Sequence, residues 1–141
     1  MSTAAFSVPV SVRYLEVDQQ GVVFNMWYLA WFDDAMTAYL ADLGFDYEQM
    51  LASGFDVQVV HSSVDYRDGV RFRDAPVVRV QPSAIGTTSF RLAFKVMVDL
   101  REMVAAEIVY VCVGTDGSGK RPVPPALRAA LEGAAGGTAP Q

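Results

Sequence analysis

The feature that most constrains the fold is a predicted helix, residues 25–43, that is apolar on most of its sides. Asn25 is a candidate N-cap, and the Leu43-Gly44 step is a typical helix stop. The apolar positions form two neighbouring rows: Trp27, Trp31, Ala35 and Ala38, and Tyr28, Phe32, Met36 and Tyr39. A helix that is apolar on most sides is expected to be buried on most sides. In a chain of 141 residues, we expect a sheet to supply that burial by wrapping the helix.

Five segments are predicted as strands because their apolar residues alternate or form short runs. They are residues 6–16, 55–66, 76–85, 90–98 and 104–113, and the last is apolar enough to predict burial on both faces. Short helices are predicted at residues 46–52 and 124–132. The connections at residues 86–88 and 100–102 suit antiparallel hairpins. This order predicts an α+β fold with one helix against one antiparallel sheet.

Length predicts a single domain over residues 1–132, followed by a Gly/Ala/Pro-rich tail, residues 133–141, that we expect to be disordered. The chain is 52% hydrophobic, an excess that predicts apolar surface covered by a second copy. Its formal charge of -5 argues against a nucleic-acid partner. We predict neither a signal peptide nor a membrane span. The lone Cys112 favours a reducing compartment, so we predict a cytoplasmic protein.

Few residues are available for chemistry. The sequence has one histidine, His61, and one cysteine, and no clustered spacing typical of a metal site. No P-loop, dinucleotide-binding or nucleophile-elbow motif is present. Carboxylates remain, and Asp18 stands out because it lies in a polar break, residues 18–21, between a predicted strand and the long helix.

The surroundings of Asp18 suit acyl transfer. Gly21 lets the backbone approach a ligand closely. The amide N–H groups near Asn25 lack intrahelical partners and carry the positive end of the helix dipole, so they can stabilise an oxyanion. An acid beside such donors can attack a carbonyl or activate water. The structural alternative, an Asp that merely forms a turn or a cap, remains open on this reasoning.

The stretch from Val12 to Ala35 reads V-R-Y-x-x-x-D-x-x-G-V-V-F-N-x-x-Y-L-x-W-F-D-x-A. It resembles the N-terminal motif of the hotdog-fold acyl-CoA thioesterases of the 4-hydroxybenzoyl-CoA thioesterase-like group, and the resemblance extends over roughly residues 8–131. It implies a curved antiparallel sheet of about five strands around one long central helix. It also implies homodimers with active sites at the subunit interface, often assembled into homotetramers. Asn25 stands where many members have His, and Arg73 where glycine is common.

The resemblance also implies roles for individual residues. Asp18 aligns with the catalytic carboxylate, and Asn25 with the position whose backbone N–H polarises the thioester carbonyl. The predicted substrate-binding residues are Gly21, Val22, Tyr28, Asp33, Arg71, Thr87, Thr88 and Ser89. Contacts to the coenzyme A phosphates are possible for Arg71, Arg73, Lys120 and Arg121, although exposed cations are ordinarily just solvated. No metal and no cofactor beyond substrate coenzyme A is expected.

Three functions stay open at this point. The first is hydrolysis of an acyl-CoA or acyl-carrier-protein thioester, with Asp18 as nucleophile or as general base. The second is a hotdog hydratase or dehydratase, which would need His61 to approach a carboxylate at the site. The third is a non-catalytic module that binds an acyl ligand. The acyl group itself is left undetermined.

Overall fold

The computed structural model describes residues 6–138, and the side chains of residues 6–134. The elements, in chain order, are β1 Phe6–Pro9, a one-turn 3-10 helix Tyr14–Glu16, α1 Trp27–Asp42, α2 Tyr47–Ala52, β2 Phe55–Tyr66, β3 Val77–Ile85, β4 Ser89–Val98, β5 Arg101–Gly114 and α3 Pro125–Thr138. The strands form one antiparallel sheet in the order β1-β3-β4-β5-β2. This confirms the predicted α+β architecture. No described helix is long and apolar enough to cross a membrane.

The sheet has β1 at one edge and β2 at the other. β2 pairs with β5 from Phe55↔Gly114 to Tyr66↔Val104, with an irregularity between Val59 and His61. Such a bulge bends the strand and strengthens its twist. Because all neighbours are antiparallel, the end of β2 at Tyr66 and the β3–β4 turn lie at opposite ends of the sheet.

The core lies between α1 and one face of the sheet. Along β4 every second residue from Phe90 to Val98 is buried, the pattern of a strand with one covered face. Phe32 of α1 packs on Phe94, with ring centroids 5.0 Å apart. Leu127 and Leu131 of α3 belong to the same core. Trp31 and Phe32 are therefore core residues, and Trp27 is half-buried against them.

Helix α1 begins later than the sequence predicted. Its N-cap is Met26 in helical conformation, and no side chain caps it, so Asn25 is not the N-cap. The chain instead enters the helix through a turn in which Trp27 N–H donates to the carbonyl of Phe24, 3.0 Å. The predicted stop is confirmed: Gly44 has φ +97, and the amide of the next residue, Phe45, donates to the carbonyl of Leu40.

The predicted burial of α1 on most sides is wrong for the single chain. One face is buried and includes Tyr28, Trp31, Ala35 and Tyr39. The opposite face is exposed and holds Leu29, Ala30, Asp33, Asp34, Thr37, Ala41 and Asp42. A single sheet packed against a helix covers only the side of the helix that touches it.

The other predictions differ mainly at element ends. β1 stops at Pro9 rather than at residue 16, because β3 starts at Val77 and offers no further partner. The outward face of β5 is only partly buried, and Glu107 on it is exposed. α3 is assigned as far as Thr138 and so extends into the segment predicted as a disordered tail, residues 133–141, whose disorder stays a prediction. The predicted disorder of residues 139–141, and residues 1–5, lie outside the described residues.

Candidate active site

Asp18 sits in a small, tightly closed hairpin just before α1. An isolated bridge joins Val17 to Val23, and Asp18 N–H donates to the carbonyl of Val22, 2.9 Å. Gly21 N–H returns a bond to the carbonyl of Asp18, also 2.9 Å, and Gly21 has φ +81. A side chain at Gly21 would strain this turn. One Asp18 carboxylate oxygen accepts from Gln20 N–H at 2.8 Å, which fixes the half-buried side chain.

A buried acid two residues earlier anchors this hairpin to α1. Glu16 is only 3% exposed and accepts the indole N–H of Trp31, 3.3 Å. The Arg13 guanidinium donates to the same carboxylate from two nitrogens, each at 3.1 Å, and lies over the ring of Trp27. The carbonyl of Glu16 accepts from Phe24 N–H. Both stems of the Asp18 hairpin are thus fixed against the helix.

Asp18 opens onto a cavity of about 390 Å³. Its lining includes Asn25, Tyr28, Tyr66 and Asp68. The Tyr28 hydroxyl accepts from Val70 N–H, 3.3 Å, and its ring lies 5.8 Å from that of Tyr66. Burial is the main cause that raises the pKa of Tyr28, and the nearby carboxylates of Asp18 and Asp68 add to it. Tyr28 therefore stays a neutral phenol in this cavity.

Asn25 lies on the wall of the same cavity, two residues before α1 begins. Among the residues described, none accepts a hydrogen bond from its amide N–H. The Tyr66 hydroxyl donates to the Asn25 carbonyl at 3.4 Å, a long contact that limits movement of this peptide group. A free amide at the positive end of a helix dipole suits a developing negative charge.

Six residues of the cavity lining escaped the sequence reasoning: Gln20, Val23, Tyr66, Arg67, Asp68 and Gly69. Gly69 is required sterically, because a Cβ there would lie 2.5 Å from Cγ1 of Val22. This close approach lets Val23 N–H reach the carbonyl of Val70, 2.8 Å. A glycine following a charged pair directly after a long strand was the one signal that could have located this loop.

Arg71 also belongs to this region. It forms an isolated bridge with Val22, and its guanidinium lies 3.5 Å from the position that a Cβ on Gly21 would take. Gly21, Val22, Tyr28 and Arg71 of the predicted binding set therefore lie around Asp18 within one chain.

Three other predicted substrate-binding residues, Thr87, Thr88 and Ser89, lie at the opposite end of the sheet from Tyr66. Ser89 pairs with Val111, whereas Tyr66 pairs with Val104. At about 3.3 Å per residue, those β5 positions are separated by roughly 23 Å. Thr87 and Thr88 share the Ser89 end, since Thr88 C=O accepts from Cys112 N–H. Arg121 is also at that end, where its guanidinium donates to the carbonyl of Gly54.

Asp33 lines a different cavity, of about 210 Å³, on the exposed side of α1. Thr37, Tyr47, Met50 and Asp56 line it as well. Desolvation is the first cause that raises the pKa of the Asp33 carboxyl, and the charge of neighbouring Asp34 is the second. Within one chain Asp33 and Asp18 therefore do not share a cavity.

His61 is exposed and lines a third cavity, of about 480 Å³, with Arg91, Lys95 and Glu107. Arg91 and Lys95 alternate with the buried residues of β4, so this cavity lies on the sheet face away from α1. His61 is thus remote from the Asp18 carboxylate. Among residues 6–134, no group of three or more His, Cys, Asp or Glu side chains is arranged to hold a metal ion.

Comparisons with known proteins agree with this architecture. The chain is 36% identical over 69 residues to the putative acyl-CoA thioesterase YneP of Bacillus subtilis, a match that spans 49% of this chain and about half, 50%, of the relative. It is 29% identical over 109 residues to the acyl-CoA thioesterase YbgC of Haemophilus influenzae, covering 77% of this chain and 80% of that protein. A solved thioesterase-superfamily structure from Jannaschia superposes with a TM-score of 0.88 at 19% identity, covering 93% of each chain.

A five-stranded antiparallel sheet packed on one helix, with a carboxylate turn at the start of that helix, defines a hotdog-type protein. The sequence model of the Thioesterase-like superfamily matches residues 12–131. The chain belongs to this superfamily, and the resemblance read from the Val12–Ala35 stretch is confirmed.

Proposed function

We propose that the chain hydrolyses the thioester of an acyl-CoA or an acyl-carrier protein, with Asp18 as the reacting carboxylate. The class of enzyme, a thioester hydrolase, is confirmed by the family and by relatives named as acyl-CoA thioesterases. One observation carries the assignment of residues: Asp18 and Asn25, whose amide N–H has no acceptor among the described residues, line the same cavity at the N-terminal end of α1.

In the proposed reaction the thioester carbonyl oxygen accepts a hydrogen bond from Asn25 N–H. That donor and the helix dipole stabilise the oxyanion formed during attack, which is worth about 3 kcal/mol for one well-aimed donor. If Asp18 is the nucleophile, its oxygen displaces the thiolate, and water then hydrolyses the mixed anhydride to release the acid. If Asp18 is the base, it takes a proton from the water that attacks the carbonyl. Neither route needs a metal or a redox cofactor.

We also propose that the active form is a homodimer built on β2. Within the described chain β2 pairs only with β5, and Val59 and Val60 are more than half exposed on it. A strand edge of twelve residues is a ready template for a second copy. Antiparallel pairing of two β2 edges would bring the Phe55 end of the partner beside Tyr66.

That pairing would bring predicted binding residues that lie far from Asp18 within one chain close to the Asp18 of the other copy. The Asp33 cavity includes Asp56 and Val57, at the Phe55 end of β2, and would face the Asp18 cavity of the other copy. The turn at Thr87, Thr88 and Ser89 lies at the same end of the sheet. The dimer would also cover part of the exposed α1 face. Assembly of two dimers into a tetramer rests on the family resemblance, and a cytoplasmic location stays a prediction.

The two alternatives make different predictions. A hydratase would need His61 near the reacting acid, and the remote position of His61 on the other sheet face disfavours this. A binding module would bind acyl-CoA without turnover.

The test is thiol release from a panel of aliphatic and aromatic acyl-CoA substrates and acyl-carrier proteins. Asp18→Asn keeps an oxygen that can accept from Gln20 N–H, so the turn should persist. We expect kcat to fall by a factor of about 1,000 in Asp18→Asn and Asp18→Ala. Asp42→Asn, at the exposed end of α1, is the matched control. Wild-type activity in both Asp18 variants would exclude the mechanism, and binding without any thiol release would select the binding module.

A further inference from the structure

Tyr66, the last residue of β2, reaches the segment from which α1 begins. Its hydroxyl donates to the Asn25 carbonyl at 3.4 Å, and the two residues are 41 positions apart in the sequence. Both residues line the Asp18 cavity. Tyr66 therefore ties the end of an edge strand to the residue whose amide N–H is proposed to bind the thioester oxygen.

The Asn25 carbonyl has little other restraint. No side chain caps α1. In a regular α-helix the Asn25 carbonyl would accept from the amide four residues later, that of Leu29. Leu29 N–H donates instead to the Met26 carbonyl, at 3.2 Å. Among the described residues, the Tyr66 hydroxyl is thus the one donor to the Asn25 carbonyl.

Tyr66 is itself supported by a fixed ring. Its ring centroid lies 5.8 Å from that of Tyr28, which is only 2% exposed. The Tyr28 hydroxyl accepts from Val70 N–H, and the Tyr28 ring meets that of Trp31 edge to face, with 5.1 Å between the centroids. The Tyr66 ring therefore rests on the core, although Tyr66 is 51% exposed, and its hydroxyl is held beside Asn25.

This restraint acts on the direction of the Asn25 amide. The Asn25 carbonyl and the Asn25 N–H flank one Cα, so a fixed carbonyl limits the two backbone rotations that change the direction of the N–H. The Phe24 carbonyl, which belongs to the same peptide group as that N–H, accepts from Trp27 N–H at 3.0 Å. An oxyanion donor lowers the barrier only while it points at the developing charge. The 3.4 Å bond is long, and catalytic hydrogen bonds of this kind often tighten when substrate binds.

We propose that Tyr66 is a positioning residue for thioester hydrolysis: its hydroxyl holds the Asn25 backbone in the orientation in which the Asn25 N–H meets the developing oxyanion. This rests on the proposed function and deepens it, because it adds a side chain that acts on the oxyanion through Asn25 and makes no bond to the substrate. The end of β2 thereby becomes part of the reaction site.

The kinetic test is Tyr66→Phe, which removes the hydroxyl and keeps the ring on Tyr28. Loss of an oxyanion donor lowers kcat by a factor of about 100 to 1,000, and a misdirected donor should lose part of that, so kcat should fall about tenfold. KM should stay the same, because the donor acts on charge that develops only in the transition state. Tyr14→Phe is the matched control, since Tyr14 is 80% exposed and does not line the Asp18 cavity. It should leave kcat and KM unchanged.

A spectroscopic measurement follows the polarised carbonyl directly. In the Asp18→Asn variant, where bound thioester should persist, the infrared stretching frequency of an isotopically labelled thioester carbonyl should lie below that of the free thioester. Adding Tyr66→Phe should move the frequency back towards the free value, while adding Tyr14→Phe should not. A purely structural role of Tyr66 would change the midpoint of urea unfolding without this shift.

The outcomes separate this proposal from the proposed function. Wild-type hydrolysis with unchanged kcat and unchanged carbonyl frequency in Tyr66→Phe overturns the positioning role alone. A rise of KM with kcat unchanged also overturns it, because Tyr66 would then contact the substrate itself. A bound thioester whose carbonyl frequency depends on Tyr66, in a wild type without turnover, upholds the positioning role and rejects the hydrolysis. A protein that binds no thioester of the panel rejects both.

Discussion

Removing the carboxylate of Glu16 should destabilise the fold substantially, although Glu16 does not line the Asp18 cavity. Its side chain is 4% exposed, whereas that of its partner Arg13 is 58% exposed. After Glu16→Ala, the Arg13 guanidinium can therefore regain water. The indole N–H of Trp31 cannot, because Trp31 is 4% exposed and its described acceptor is Glu16.

The expected cost follows from that asymmetry. An unpartnered buried donor costs about 1–3 kcal/mol. The ion pair with the exposed Arg13 contributes no more than about 1 kcal/mol once solvent screening is counted. We therefore expect Glu16→Ala to lower the free energy of unfolding by about 2–4 kcal/mol. Trp31→Phe removes the donor itself and should cost less, about 1–2 kcal/mol, chiefly from lost packing volume.

Urea denaturation of both single variants and of the double variant measures these values. Because the two residues share one hydrogen bond, the double variant should be less destabilised than the sum of the singles by about 1 kcal/mol. The reasoning is refuted if Glu16→Ala costs less than 0.5 kcal/mol, a level typical of ordinary surface sites, or if the two changes are additive.

Three further predictions concern packing, pH and assembly. Gly69→Ala should cost about 1–3 kcal/mol and reduce kcat/KM, because its Cβ would meet Val22 at 2.5 Å. Burial raises the pKa of Cys112 from 9.0 to about 11, so the free energy of unfolding should fall as pH rises from 9 to 11, by up to about 1.4 kcal/mol per pH unit. Val60→Lys on the exposed β2 edge should shift the protein towards monomer in sedimentation equilibrium, and thiol release should fall with it.

Each of these has a control or an outcome that would contradict it. Gly133→Ala, in a helix with no atom within 4 Å of the new Cβ, should stabilise rather than destabilise, which isolates the steric effect at Gly69. The sign of the pH effect follows because the Cys112 thiol holds its proton more tightly in the folded protein than in the unfolded chain. Its contribution to the free energy of unfolding is therefore fully present below pH 9 and is lost as the pH rises. Cys112→Ala should flatten that slope, and an unchanged slope would assign it to other groups. A Val60→Lys variant that remains dimeric would contradict the proposal that β2 forms the dimer interface.

The fold was predictable where local signals agree. β2 was predicted at residues 55–66 and is found at Phe55–Tyr66. The short helix α2 has the predicted start at Asp46, whose carboxylate accepts from Gln49 N–H at 2.8 Å in a capping box. The predicted end of β1 is wrong. The apolar alternation continues past Pro9, but a strand also needs a partner, and β3 begins only at Val77. The end of a strand depends on where its partner strand begins or ends, and the apolar periodicity of the sequence does not contain that information.

The candidate site was predictable only in part, for a related reason. Asp18, Gly21 and Asn25 are close in sequence, and the hairpin that holds them is local. Tyr66 reaches Asn25 from 41 positions away, so no local pattern could assign it to the site. The charged loop beside Tyr66, residues 67–69, also lies at the site only because the folded chain brings it there.

By itself, the sequence determined the kinds of elements and the chemistry available. Periodicity defined the strands and the central helix, Gly44 ended that helix, and the scarcity of His and Cys left a carboxylate as the candidate reactive group. The tertiary structure alone decided which face of α1 is exposed and that Asp18 and Ser89 lie at opposite ends of the sheet. The physical reason is that hydrophobic period and turn preference depend on neighbouring residues. Strand order and helix burial depend instead on contacts between residues far apart in the chain, and those exist only after folding.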